Sequence, residues 1–117
     1  MINTVVLAGN LGQDPESFFT PDSGTHIATF SLAFISGFKD GKEKTGWIKV
    51  TCFGKIADIA TQYLHTGARV AVTGSLEQQK WETDNNEKRS AIRLIARDLE
   101  FIKTDGRGFE DSDRPAF

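Results

Sequence analysis

The sequence is poor in most of the features that give a chain reactive chemistry. It holds one cysteine, Cys52, so no internal disulfide framework can form, and that usage fits a reducing compartment. Cys52 shares a strand face with Ile48 and Val50, which makes it a small inward-facing apolar residue rather than a reactive thiol. No apolar run approaches the roughly 20 residues that a bilayer-spanning helix needs. Met1 leads at once into strand-like residues, so neither a membrane span nor a signal peptide is expected. The two histidines, His26 and His65, have no cysteine or carboxylate near them at metal-ligand spacing. Neither a Ser-His-Asp set nor a carboxylate pair can be argued from spacing, so the reading is of a non-enzyme with no metal and no cofactor. Gly9 and Gly12 are not followed by a phosphate-cradling signature, and Asp14-Pro15 breaks any helix start behind them. Finally, there is no positive excess. The formal charge is −2, with 12 bases and 12 acids over residues 1–104 and four acids against two bases from Asp105 onward. A neutral body with an acidic end permits a local basic groove without requiring one.

What is present is a run of strand patterns. In Trp47 to Phe53, alternation sets Trp47, Lys49, Thr51 and Phe53 on one face and Ile48, Val50 and Cys52 on the other. The second set suits a core. The first is unusual for a solvent face, because two large aromatics bracket a lysine. Aromatic planes beside a cation suit single-stranded nucleic acid, since every base has a π-face and every phosphate a charge. Burial of that face by a partner subunit is the other reading, and from this strand alone both stand.

The remaining elements follow in order. Met1 to Leu11 reads as a first strand, with Gly9 and Gly12 marking a bulge or sharp bend. Asp14 to Thr25, with Pro15, Pro21 and Ser23-Gly24, reads as loop, its Phe18 and Phe19 packing as a lid or at an interface. Ile27 to Phe34 is a second strand, and Asp40-Gly41 a hairpin turn in a charged loop leading into the third, the Trp47 strand. Ile56, Ile59, Ala60, Tyr63 and Leu64 recur at helical spacing before Gly67, which predicts one short amphipathic helix over Lys55 to His65. Arg69 to Trp81 and Arg89 to Ile102 are a fourth and a fifth strand around a turn at Asp84-Asn85-Asn86. The fourth has an inner face of Val70, Val72, Gly74 and Leu76. Both outrun the core, so they should project as an arm that carries Trp81 beside Lys80. An isolated exposed tryptophan is costly unless it is used. Five strands with one helix between the third and fourth is the order of the OB-fold, an all-β partly open barrel whose strand face binds oligonucleotides.

The stretches Val5 to Glu16, Trp47 with Phe53-Gly54-Lys55, Tyr63-Leu64 and Lys80-Trp81 resemble, in the same order, the bacterial single-stranded DNA-binding protein family. That resemblance covers about residues 3–102. It implies a homotetramer, a dimer of dimers joined through their first strands, that wraps single-stranded DNA in the cytoplasm, associated with the nucleoid, during replication, recombination and repair. It assigns base stacking to Phe38, Trp47, Phe53 and Trp81, phosphate contact to Lys49, Lys55 and Lys80, and a place in the same groove to Arg89. The arm reads Glu77-Gln78-Gln79 and the helix exit His65-Thr66 where members carry basic residues, which implies fewer phosphate contacts and a shallower salt slope. Ile48 stands where many members have histidine at a subunit contact. The division expected is an OB domain over residues 1–104 and a short acidic tail over 105–117. Asp111, Asp113, Pro115 and Phe117 match the segment by which the family recruits replication and repair proteins. A second function remains open beside this one: an OB module of a primosome-like assembly that binds partners and only weakly binds DNA.

Overall fold

In the computed structural model, residues 1–103 are described. They form β1 (Val5–Leu11), β2 (Glu16–Phe19), β3 (His26–Lys39), β4 (Lys42–Phe53), α1 (Lys55–Tyr63), β5 (Arg69–Glu82) and β6 (Lys88–Lys103). The sheet runs β1-β5-β6-β4-β3-β2, and a further pairing of β1 with β3 closes five of the strands into a ring. Closure depends on one parallel contact, where Lys49, Val50 and Thr51 of β4 lie beside Arg93, Leu94 and Ile95 of β6. All other pairings are antiparallel.

The interior is the set the alternation selects. Ala28, Phe30 and Leu32 of β3, Val50 and Cys52 of β4, Val70 and Val72 of β5, and Leu94 and Ala96 of β6 are buried, and Ala57, Ala60 and Leu64 from α1 and its end plug the ring. Val5 and Leu7 pack against this core while Val6 is exposed, as period two requires for β1. Cys52 is fully buried, and desolvation pushes its thiol up from 9.0 to about 12. Its neutral form is thus the native form. The stabilisation is complete below pH 9.0 and is lost as pH rises through the window from 9.0 to about 12, where the unfolded chain ionises first. Cys52 should resist alkylation by iodoacetamide at pH 8 in the folded protein and react after addition of denaturant. Ready labelling without denaturant would contradict this packing.

Three departures from the sequence reading have local causes. First, residues 16–19, expected as loop, are strand β2, paired from Glu16↔Thr29 to Phe19↔His26. β1 and β2 share one edge of β3. Asn10 and Leu11 lie opposite Ala33 and Leu32, the Gly12 amide donates to the Ser31 carbonyl at 3.0 Å, and after the detour through Gln13, Asp14 and Pro15 the pairing resumes at Glu16. The Asp14 carboxylate anchors that detour, accepting from the Thr66 amide at 2.7 Å and hydroxyl at 2.9 Å. Second, β1 begins at Val5 rather than Met1. The Asn3 side chain takes the place of a backbone partner, donating to the Leu76 carbonyl at 2.8 Å and accepting from the Leu76 amide at 2.9 Å. Third, the charged loop at 39–44 is the end of a long β3–β4 hairpin. Its two-residue turn, Asp40-Gly41, takes φ of 53° and 76°, the mirror-image geometry that follows the strand twist. The helix, by contrast, forms where its periodicity predicts.

The hairpin of β5 and β6 also outruns the ring. Gln78↔Ile92, Lys80↔Ser90 and Trp81↔Arg89 remain paired out to Glu82↔Lys88, where Thr83 and Glu87 close the turn. Leu76, expected inside, lies where the arm leaves the core and is exposed, as is Ile92.

Candidate nucleic-acid interface

Register fixes which side chains share the outer face of the sheet. Cross-strand partners point the same way, so Ile27 and Phe53, Thr29 and Thr51, Ser31 and Lys49, and Ala33 and Trp47 form successive rows across β3 and β4. The parallel seam carries the rows onward, putting Arg93 beside Lys49, and β6 then sets Glu77 beside Arg93, Gln79 beside Ala91 and Trp81 beside Arg89. By simple alternation Phe38 would fall on the reverse side. A register shift between Ile35 and Gly37 inserts an extra residue, so that Phe38 lies opposite Glu43 and joins the face of Thr45 and Trp47. The bulge thus aims the first ring at the same surface as the other three.

These four rings are open to solvent in the folded monomer: Phe38 is 71% exposed, Trp47 60%, Trp81 49% and Phe53 39%. Trp47 is nevertheless supported. A Cβ on Gly12 would lie 2.5 Å from its Cζ3, so the indole rests directly over the bare Cα of Gly12, and only glycine leaves room for it there. The second glycine of the Gly9-Asn10-Leu11-Gly12 stretch therefore serves the site, a role its sequence pattern does not reveal. Thr51, on the same face, is 1% exposed with no hydrogen-bond partner for its hydroxyl, so it belongs to the floor and not to the contact surface.

The cations are arranged unevenly. Lys49 lies between Trp47 and Phe53 on β4, and Lys55 opens α1 just beyond Phe53. Lys80 is on the reverse parity from Trp81, yet with Trp81, Lys88 and Arg89 it lines a concavity of about 530 Å³ on the arm, facing one acid, Glu82. Arg89 is held by Glu87 at 2.5 Å, an exposed pair of little energetic weight. Arg93, which the sequence reading did not include, is central to the face. Its Nε and Nη2 donate to one Glu77 oxygen at 2.9 and 2.6 Å, so Glu77 neutralises the cation nearest Lys49.

Replacing Glu77 with glutamine should therefore release a guanidinium to a phosphate. The salt slope of single-strand binding should steepen by about 0.7 in log K against log [salt], the increment for one neutralised phosphate. A binding series from low to high potassium chloride measures it, and an unchanged slope would count against a phosphate path over Arg93.

A closed sheet of short and long strands, plugged by one helix and bearing a row of uncovered rings and cations on one face, defines an OB-fold oligonucleotide-binding protein. The chain matches the single-strand binding protein family over residues 2–102 and belongs to it. It is 35% identical to "Single-stranded DNA-binding protein 1" of Chlorobaculum tepidum, an alignment spanning 99% of this chain and 78% of that protein. Its fold is similar to the Plasmodium falciparum SSB complex with ssDNA, at a TM-score of 0.78 and 32% identity, covering 88% of this chain and 96% of the other. The tail residues singled out by sequence, Asp111, Asp113, Pro115 and Phe117, lie outside the described residues. No helix among the described residues is long and apolar enough to cross a membrane.

Proposed function

We propose that this chain binds single-stranded DNA without regard to sequence and protects it during replication, recombination and repair. One observation carries the reading: Phe38, Trp47, Phe53 and Trp81 share a sheet face and are solvent-exposed in the folded monomer. Bases stack on these rings while Lys49, Lys55, Lys80 and Arg89 follow the backbone. Because a ring accepts any base and a lysine any phosphate, nothing in the arrangement selects sequence. The chain acts in the cytoplasm on the nucleoid as a homotetramer, a dimer of dimers, and as a binding protein rather than an enzyme. Residues 1–104 form the binding domain. The acidic end at 105–117, through Asp111, Asp113, Pro115 and Phe117, recruits replication and repair proteins.

The Glu77–Arg93 pair favours one competing reading, a protein-interaction module with weak DNA binding, because it removes a cation from the face. Light scattering on the purified protein with and without a long oligothymidine separates the two. The proposal expects a four-chain mass that rises by the mass of the oligonucleotide. A particle whose mass ignores the DNA would favour the interaction module.

A further inference from the structure

The aromatic face does not end at Phe53. The row containing Phe53 continues through Ile27 of β3 to Phe18 of β2, since Phe53 pairs with Ile27 and Ile27 with Phe18. Strands lie about 4.8 Å apart, so the backbones of Phe18 and Phe53 are roughly 10 Å apart with Ile27 between them. Phe18 is 53% exposed, more than Phe53 itself. Its neighbour Phe19 points to the other side and has an internal partner, with its ring stacked on His26 at 4.6 Å and 15°. Phe18 has no such stacking contact among those found for the described rings. The strand beneath it is well fixed. All four residues of β2 pair with β3, and the His26 ring is tied to Asp58 of α1 by a 2.5 Å contact between Nδ1 and Oδ1. Phe19, on the opposite face, is itself 65% exposed but has a ring partner in His26, so alternation leaves Phe18 as the unstacked ring on the Phe53 side.

We propose that Phe18 is a fifth stacking residue, receiving one base where the single strand leaves Phe53 and crosses the edge of the sheet. The inference rests on the single-strand binding reading and extends its path by one nucleotide per chain. Continuity with the Phe53 row argues for a base as the occupant. On the same face, the residue two before Phe18 is Glu16, an acid, so the contact is one of ring face rather than charge. Its contribution should therefore not change with salt.

The test titrates the full chain and its Phe18→Ala, Phe18→Leu and Phe19→Ala variants with oligothymidines of graded length, following tryptophan emission. Short oligonucleotides that reach only the four inner rings should bind Phe18→Ala as they bind the parent. Longer ones should bind about fivefold more weakly, the low end for one lost stacked base, with an unchanged salt slope. Phe18→Leu should show the same loss, because it keeps apolar bulk and removes the flat ring. Phe19→Ala should keep the length-dependent gain. Equal binding of Phe18→Ala and the parent at every length would overturn the proposal, and a fall in particle mass alongside it would assign Phe18 to a contact between copies of the chain. Failure of the parent protein to quench with any oligothymidine would instead overturn the binding reading beneath it.

Discussion

Replacing both Trp47 and Trp81 with alanine is expected to weaken oligothymidine binding by roughly 30-fold to 20,000-fold, while the fold remains intact. Each stacked base is worth about 1–3 kcal/mol by alanine substitution in single-strand binding proteins generally, and each tenfold in affinity is about 1.4 kcal/mol. The two indoles lie on different elements, Trp47 within the β3–β4 ladder and Trp81 out on the β5–β6 arm, so their losses should add. Neither is part of the core, so the urea midpoint should move little. Equilibrium titration by fluorescence anisotropy of a labelled oligothymidine measures the loss. A double variant that binds like the parent would mean that the phosphate contacts, and not the rings, hold the DNA.

The second large effect is structural. Gly9→Ala should destabilise the domain by about 3 kcal/mol or more. A Cβ at this position would lie 2.0 Å from the Ala33 carbonyl oxygen and 2.9 Å from its carbon, both backbone atoms that no rotamer change can move. The approach is that close because β1 changes partners here, from β5 along Val5 to Asn10 to β3 at Asn10 and Leu11, and the ring closes through that crossing. Overpacking inside a core costs about 1–3 kcal/mol, and opposed backbones relax less than side chains do. A urea denaturation midpoint gives the loss, read at constant m-value. A variant as stable as the parent would show that β1 and β3 can separate without unfolding, which the closed topology does not allow.

Much of this architecture is legible in the sequence because the chemistry is local. Alternation over Ala28 to Leu32, Ile48 to Cys52 and Val70 to Val72 picks out buried faces, the i, i+3, i+4 spacing over Ile56 to Leu64 gives the helix, and Asp40-Gly41 gives the turn. Trp47, Phe53 and Trp81 are legible as stacking candidates from alternation and from the projecting arm, Phe38 only through the family resemblance, and all four share one open face. What was not legible depends on register and on contacts distant in sequence. β2 is hidden because Pro15, Pro21 and the Ser23-Gly24 turn mask a four-residue strand that forms only against β3. Thr51 shares parity with Trp47 and Lys49, yet the parallel seam with β6 buries it. The shift after Ile35 that turns Phe38 onto the face of Trp47 leaves no mark in hydrophobic periodicity, nor does the role of Gly12 beneath an indole 35 residues away. Arg93 carries no local signal, because its importance comes from standing between Lys49 and Glu77 across three strands.

The acid at position 77 has a consequence for how the protein handles salt. With Arg93 paired to Glu77 and Arg89 to Glu87, two of the cations along the face and arm have partners before DNA arrives. Stacking should then supply most of the binding, and affinity should decline less with ionic strength than for a relative with arginines on this arm. The same logic makes the aromatic face, and not net charge, the feature on which the functional reading depends.

Titration of the protein's own tryptophan emission with poly(dT) tests that dependence most directly. Both tryptophans are on the proposed path, so emission should fall steeply and level off at a fixed ratio of nucleotides to chains, with the quenching retained as salt is raised. Emission that stays constant to excess poly(dT), already at the short wavelength of a sealed indole, would mean that another protomer covers the rings and would contradict the account.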